Sequence, residues 1–149
     1  MNRSDMLSAK IIAHCKKKGW WFEEVTKPYL DVLKELGIAT DSPLAEFYLH
    51  AEDGPAFYSR KRELYHICWH SINSQYKLDL KRTHELLHIS GDYLPLDSFE
   101  GSGGIFYNRI TGEVAEVTLG KELRSFLLGE FTPQWKNFNE FLEWYFELN

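Results

Sequence analysis

The chain has few cysteines and no long apolar run. Its 149 residues include only Cys15 and Cys68, and the two are not spaced as a C-x-x-C pair. A disulfide framework or a thiolate zinc site therefore has little support, and reduced thiols are expected. No segment approaches the roughly 20 apolar residues of a membrane-spanning helix. Ser8 and Lys10 interrupt the first apolar residues, so no signal-peptide core forms, and a cytoplasmic protein without a membrane partner is predicted.

Positive charge is also scarce. The chain carries 17 basic and 22 acidic side chains, a formal net charge of -5. A general nucleic-acid binder needs a clustered basic surface for phosphate, so nucleic acid is excluded as the expected partner. Residues 1–90 have 13 basic and 12 acidic side chains, whereas residues 91–149 have 4 and 10. The acidic C-terminal part is expected to steer a basic partner.

Helical and alternating patterns follow each other along the chain. Apolar residues at helical spacing, with Ser or Thr before them and glycine after them, predict helices over 4–19, 26–37 and 42–54. Short alternating runs then predict strands over 64–69, 76–80, 86–89, 105–110 and 114–119. The order predicts a single α+β domain over 1–149, with a central, mainly antiparallel sheet, N-terminal helices and a C-terminal helix packed around it.

Two local signals in the C-terminal half are specific. Asn108 to Gly112 lies between two predicted strands and predicts a hairpin turn with Gly112 at positive φ. Asn137 and Glu140 have the spacing of an N-cap and its N3 partner. They predict the start of a final helix, one face of which carries Trp135, Phe138, Phe141, Leu142 and Tyr145.

His84-Glu85-Leu86-Leu87-His88 matches the H-E-x-x-H zinc motif. In that motif two histidines one helical turn apart bind zinc, and the glutamate activates the metal-bound water. Taken alone, the match predicts a metalloprotease. The longer form of the motif needs a third histidine, but Leu94 stands at that position. Glu100, Glu113 or Glu116 would be the carboxylates able to complete a site, and nothing in the sequence selects one.

The local pattern also disfavours the helix on which such a motif depends. Alternating leucines precede it, and Gly91 and Pro95 follow soon after. On a strand, His84 and His88 would lie about 13 Å apart at 3.3 Å per residue, which is too far for one zinc ion. No metal, cofactor or catalytic residue is therefore predicted, and the match is interpreted as incidental.

Several segments in this order resemble the SUKH superfamily, whose bacterial members are mostly immunity proteins of contact-dependent and polymorphic toxin systems. The resemblance covers roughly residues 20–146. It rests on PLAEFY at 43–48 with DG at 53–54, LYHICW at 64–69, YLPL at 93–96, GGIFYN at 103–108, TGEV at 111–114, and the final helix. It implies an α+β fold with a central antiparallel sheet flanked by helices, and no enzymatic activity.

The resemblance further implies that the chain neutralises a cognate bacterial toxin by tight association, without a small-molecule substrate. It assigns no contact residues, so these are predicted from charge. A nuclease toxin is basic where it holds phosphate, and an acidic face would accelerate its association and reject wrong partners. Trp144 is an aromatic residue beyond the buried helix face and is expected to contact the partner. The predicted toxin-binding residues are Glu100, Glu113, Glu116, Glu140, Glu143 and Trp144.

Two alternatives remain open from the sequence. The first is a regulatory interaction module of the same fold that binds another host protein. The second is a zinc-dependent hydrolase that uses His84, Glu85 and His88. The toxin-binding protein is the preferred interpretation.

Overall fold

Helices and short strands follow one another along the chain. The computed structural model describes residues 6–99 and 102–148. Its elements are α1 (Ala9–Lys18), α2 (Lys27–Glu35), α3 (Pro43–His50), β1 (Ala56–Ser59), β2 (Arg62–Tyr65), α4 (Ile67–Asn73), α5 (Tyr76–Lys81), a π-helical segment (Arg82–Leu86), β3 (Tyr93–Pro95), β4 (Gly103–Asn108), β5 (Val114–Thr118), α6 (Lys121–Leu127) and α7 (Phe138–Tyr145). The predicted α+β class, with helices at both ends, is confirmed. No helix in this part of the chain has the length and apolar character to cross a bilayer.

The strands form two small antiparallel sheets where one central sheet was predicted. β1 pairs with β2, and the second sheet has the order β3-β4-β5. The backbone N–H of Tyr65, the last residue of β2, donates to the carbonyl of Leu96 at 2.8 Å. Because Leu96 directly follows β3, this bond links the two sheets.

β4 and β5 separate two hydrophobic cores, because successive side chains of a strand point to opposite faces. One face contributes Ile105, Tyr107 and Val114 to the main core, which also contains the buried side chains of α1, α3 and α7. The other face packs against α6 in a smaller core, whose fully buried members are Ile89, Phe106, Ala115 and Val117. The sheet therefore has apolar contacts on both faces.

Several predicted helix and turn signals are present. The first helix begins at Ala9, later than the predicted start at residue 4, because Ser8 caps α1 by accepting from the N–H of Ile11 at 3.4 Å; the predicted cap Ser4 lies outside the described residues. The hairpin turn is confirmed, since the Gly112 N–H donates to the carbonyl of Asn108 at 2.7 Å and Gly112 has a φ of 83°. The φ value suits glycine because a Cβ atom would be strained there.

Three predicted strands are wrong in whole or in part. The run 64–69 is a strand only as far as Tyr65, because His66 caps helix α4. The run 76–80 is helix α5, in which Tyr76 is buried and Leu80, one turn later, packs against the main core. The run 86–89 forms no strand. Apolar runs of four to six residues fit a strand or one face of a short helix equally well.

The β1–β2 hairpin has a turn of two non-glycine residues, Arg60 and Lys61, with φ values of 54° and 59°. Two-residue hairpins favour positive φ at both positions, which suits glycine or asparagine. Replacing Lys61 with glycine is expected to raise the free energy of unfolding by about 1 kcal/mol, because it removes the strain between the Cβ atom and the backbone. Urea denaturation would measure the difference.

Arg60→Gly is the matched control for this prediction. It relieves the same backbone strain but also removes the contacts that Arg60 makes with α7. We expect Arg60→Gly to raise the free energy of unfolding less than Lys61→Gly does, or to lower it. Equal gains from both variants would show that the Arg60 contacts do not stabilise the fold.

Candidate functional site

Helix α7 begins at the predicted cap. The side chain of Asn137 accepts from the N–H of Glu140 at 2.9 Å, which satisfies one of the free donors of the first turn. The inner face of the helix is fully buried and consists of Phe138, Phe141, Leu142 and Tyr145. Trp135, predicted on the same face, precedes the helix and forms an antiparallel bridge with Val114. The helix is thereby fixed against the sheet.

The β1–β2 hairpin caps the opposite end of α7. The Ser59 hydroxyl donates to the carbonyl of Tyr145 at 2.6 Å, and Arg60 Nε donates to the carbonyl of Trp144 at 2.6 Å. These carbonyls belong to the last turn of the helix, where no later N–H of the helix remains to bond them, and the Trp144 carbonyl also accepts from the N–H of Glu147 at 3.1 Å. The positive charge of Arg60 also suits the negative end of the helix dipole. These bonds attach the end of α7 to the hairpin.

Trp144 lies between an arginine and a second tryptophan. The Arg60 guanidinium carbon is 4.4 Å from the centre of the Trp144 ring, and the Trp135 ring centre is 4.9 Å away. Glu140 and Glu143 precede Trp144 by four and one residues, so Glu140 is its neighbour one helical turn earlier. We call this group, which consists of Arg60, Trp135, Glu140, Glu143 and Trp144, the Trp144 surface. Trp144 is half-buried, and therefore less open to a partner than predicted.

Two further predicted residues are near this surface: Glu113, which directly precedes β5, and Glu116, which lies in β5. Trp135 exchanges backbone hydrogen bonds with Val114, the residue after Glu113, at 3.0 and 3.2 Å. The Gln134 side chain bonds the backbone N–H and carbonyl of Glu116, both at 2.9 Å. Residues 134 and 135 thus cover the edge of β5 and join it to α7. These backbone bonds place Glu113 and Glu116 next to the segment that leads into α7.

The carboxylate of Glu116 is already paired. It accepts from Arg62, whose guanidinium also donates to Asp97 at 3.2 Å. Burial raises the pKa of Asp97, against the opposing effects of the N–H groups of Ile105 and Phe99 and of Arg62. Because Arg62 neutralises part of its charge, Glu116 contributes less to steering a partner than the exposed Glu140 does.

The remaining predicted site residues differ in their surroundings. Glu113 is partly buried and accepts from the hydroxyl of Thr111 at 3.1 Å. Glu100 lies outside the described residues.

Arg60 was not predicted as part of any site, because the contact with Trp144 joins residues 84 positions apart in the chain. In the sequence, Arg60 stands between the polar residues Ser59 and Lys61. That pattern occurs too often to indicate a contact with a distant residue.

The H-E-x-x-H match adopts neither a strand nor a regular α-helix. Residues 82–86 form a π-helical segment, and His88 has a φ of 60°. A ring nitrogen of His84, Nε2, lies 2.7 Å from the carbonyl oxygen of Tyr93. Within residues 6–99 and 102–148, no three His, Cys, Asp or Glu side chains are arranged to hold a metal ion. Catalytic zinc sites usually have three protein ligands.

The described chain is an α+β protein whose Trp144 surface combines two tryptophans in ring contact, an arginine and carboxylates. Comparison with protein-family models, curated proteins and solved structures found no match in any of the three. The functional proposal therefore rests on the residues themselves and on their geometry.

Proposed function

We propose that this protein is an immunity protein that binds a cognate bacterial toxin in the cytoplasm and neutralises it by association, without catalysis. The Trp144 surface is the observation that carries the proposal. Tryptophan and arginine are the residue types that contribute most to protein–protein binding energy. Here they lie in contact, with the Arg60 guanidinium carbon 4.4 Å from the Trp144 ring centre.

Charge supports a basic partner. Glu140 is exposed and Glu143 is partly buried on the same helix, and the chain as a whole has a net charge of -5. A toxin that cleaves nucleic acid needs a basic cleft, which an acidic surface would attract from a distance. Covering that cleft would block the substrate. A regulatory module that binds a different host protein would use the same kind of surface, and only the identity of the partner distinguishes the two.

A rescue experiment tests this function. Bacteria that express the toxin domain encoded beside this gene are expected to survive when the protein is coexpressed. His84→Ala and Glu85→Ala variants should rescue equally, because association needs neither side chain. If the bacteria die although the wild-type protein is well expressed, the protein does not neutralise this toxin. Loss of rescue in both His84→Ala and Glu85→Ala would instead favour the zinc-dependent hydrolase, which needs both side chains.

The Trp144 surface can be tested separately by measuring affinity. Trp144→Ala is expected to weaken binding of the toxin domain about 30-fold, because it removes a large aromatic contact worth about 2 kcal/mol. Isothermal titration calorimetry would measure the change. Leu128→Ala is the control, since Leu128 is 69% exposed and outside this surface. If both variants bind like the wild type, the contact lies elsewhere.

A further inference from the structure

A solvent-open groove of about 700 Å³ is lined by residues that do not belong to the Trp144 surface. Its walls come from two stretches, 18–29 and 48–54, which include the end of α1, the start of α2 and the end of α3. Grooves of this volume are within the range that holds ligands or short peptide segments. None of the residues predicted as site residues from the sequence lines it.

Backbone hydrogen bonds hold the two stretches together. The N–H of Phe22 donates to the carbonyl of His50 at 2.7 Å, and the N–H of Glu52 donates to the carbonyl of Trp20 at 2.9 Å. Trp21 and Ala51 form the bridge between these two bonds. Such a ladder fixes the walls before any partner arrives, which lowers the entropy cost of binding.

Aromatic rings form much of the groove. Trp20 is held by Phe57 and Phe146, with ring centres 5.3 and 5.8 Å away. Tyr29 lines the groove with Trp20, and Phe22 is 54% exposed at its edge. The faces of such rings carry negative electrostatic potential and attract cations.

The charges of the lining residues have one dominant sign. Among the described residues, three carboxylates line the groove, Glu24, Glu52 and Asp53, together with Lys18 and the imidazole of His50. Burial, followed by the effect of the Glu52 carboxylate, raises the pKa of Tyr29, so these two side chains lie near each other in the groove. The groove therefore combines aromatic faces with excess negative charge, and this pairing is complementary to guanidinium.

We infer that this groove binds an arginine-bearing segment of a partner protein, with the guanidinium against Trp20 and Tyr29 and paired with Glu52 and Asp53. Arginine fits better than lysine because its planar group stacks on rings and pairs with carboxylates through two hydrogen bonds. The inference extends the proposed function, since it assigns the chemistry of a second contact with the same basic partner.

The experiment uses the full chain and a defined probe, the peptide acetyl-Gly-Gly-Arg-Gly-Gly-amide. A matched peptide with citrulline in place of arginine keeps the shape and removes the charge. In ¹H–¹⁵N correlation spectra, the arginine peptide is expected to shift the indole N–H signal of Trp20 in a saturable manner. The citrulline peptide is expected to shift it little.

A double variant, Glu52→Gln with Asp53→Asn, should weaken binding of the arginine peptide about fivefold, because it removes two carboxylates and nearly preserves side-chain size. Glu130→Gln, which removes an exposed charge outside the groove, should leave binding unchanged. Equal shifts from the two peptides, equal weakening by both variants, or shifts confined to α7 would each overturn the inference.

The result is independent of the toxin experiment. If the bacteria are rescued but the peptide does not bind, the groove is not an arginine site, and the proposed immunity function still stands. Peptide binding without rescue would support the groove and remove the toxin as its partner.

Discussion

Replacing Arg62 with methionine is expected to lower the free energy of unfolding by about 3 to 5 kcal/mol, the range for breaking a buried ion pair by removing one partner. Only 9% of the Asp97 side chain is exposed, and Arg62 donates to it at 3.2 Å. Methionine fills a similar volume but leaves the Asp97 carboxylate without its cation. Urea denaturation at pH 7 would measure the loss.

A second variant identifies the cause. Asp97→Asn keeps an oxygen that can accept from the N–H groups of Phe99 and Ile105, which donate to Asp97 at 3.2 and 3.3 Å. In the Arg62→Met background it should restore at least about 1 kcal/mol, because no buried charge then remains. Lys27→Met breaks the exposed pair of Lys27 with Asp31 and is expected to change stability little. A loss in Arg62→Met no greater than in Lys27→Met would refute the prediction.

The stability of the protein is expected to fall by about 3 kcal/mol between pH 6.5 and pH 4 through His66 alone. Burial lowers the pKa of His66 to about 4, against the smaller opposing effect of the carbonyls of Tyr48 and Ala51. In the unfolded chain the pKa is about 6.5, so in this window the unfolded state binds the extra proton. Falling pH therefore favours unfolding, and each unit between the two pKa values is worth about 1.4 kcal/mol.

His66→Asn isolates this contribution. His66 Nδ1 accepts from the N–H of Trp69 at 3.2 Å as the cap of α4, and asparagine supplies an equivalent acceptor without a titrating ring. The pKa values of His14 and His70 are also lowered, mainly by burial, whereas those of Asp79 and Asp97 are raised, so they act in opposite directions. We expect the variant to lose about 3 kcal/mol less than the wild type between pH 7 and pH 4. Parallel pH profiles in urea denaturation would contradict the assignment.

Whether a sequence prediction was correct depended on how far apart in the sequence the interacting residues lie. The Asn137 cap and the turn ending at Gly112 depend on neighbours within five residues, and both were predicted correctly. The run 64–69 failed because His66, which lies in the middle of it, ends β2 and starts α4. The His66 ring accepts from the Trp69 N–H where it is buried under side chains that are distant in the sequence. The residues of the run 64–69 alone do not indicate that burial.

The candidate site shows the same division. The excess aromatic residue of α7 and the acidic residues around it were predicted from helical spacing and charge. Arg60, which lies over the Trp144 ring, and Arg62, which neutralises Glu116, were not predicted. Nor was the groove at Trp20, whose two walls are about 30 residues apart in the chain.

The sequence by itself determined the α+β class, the helices at both ends, the hairpin turn and the excess of acidic charge in the C-terminal part. These properties follow from hydrophobic period, capping residues and composition, which act over a few neighbouring residues. Only the tertiary structure decided which charges are paired, which rings stack and where a groove forms. Those contacts join residues that are distant in the chain, and their geometry is set by the packing of the whole core.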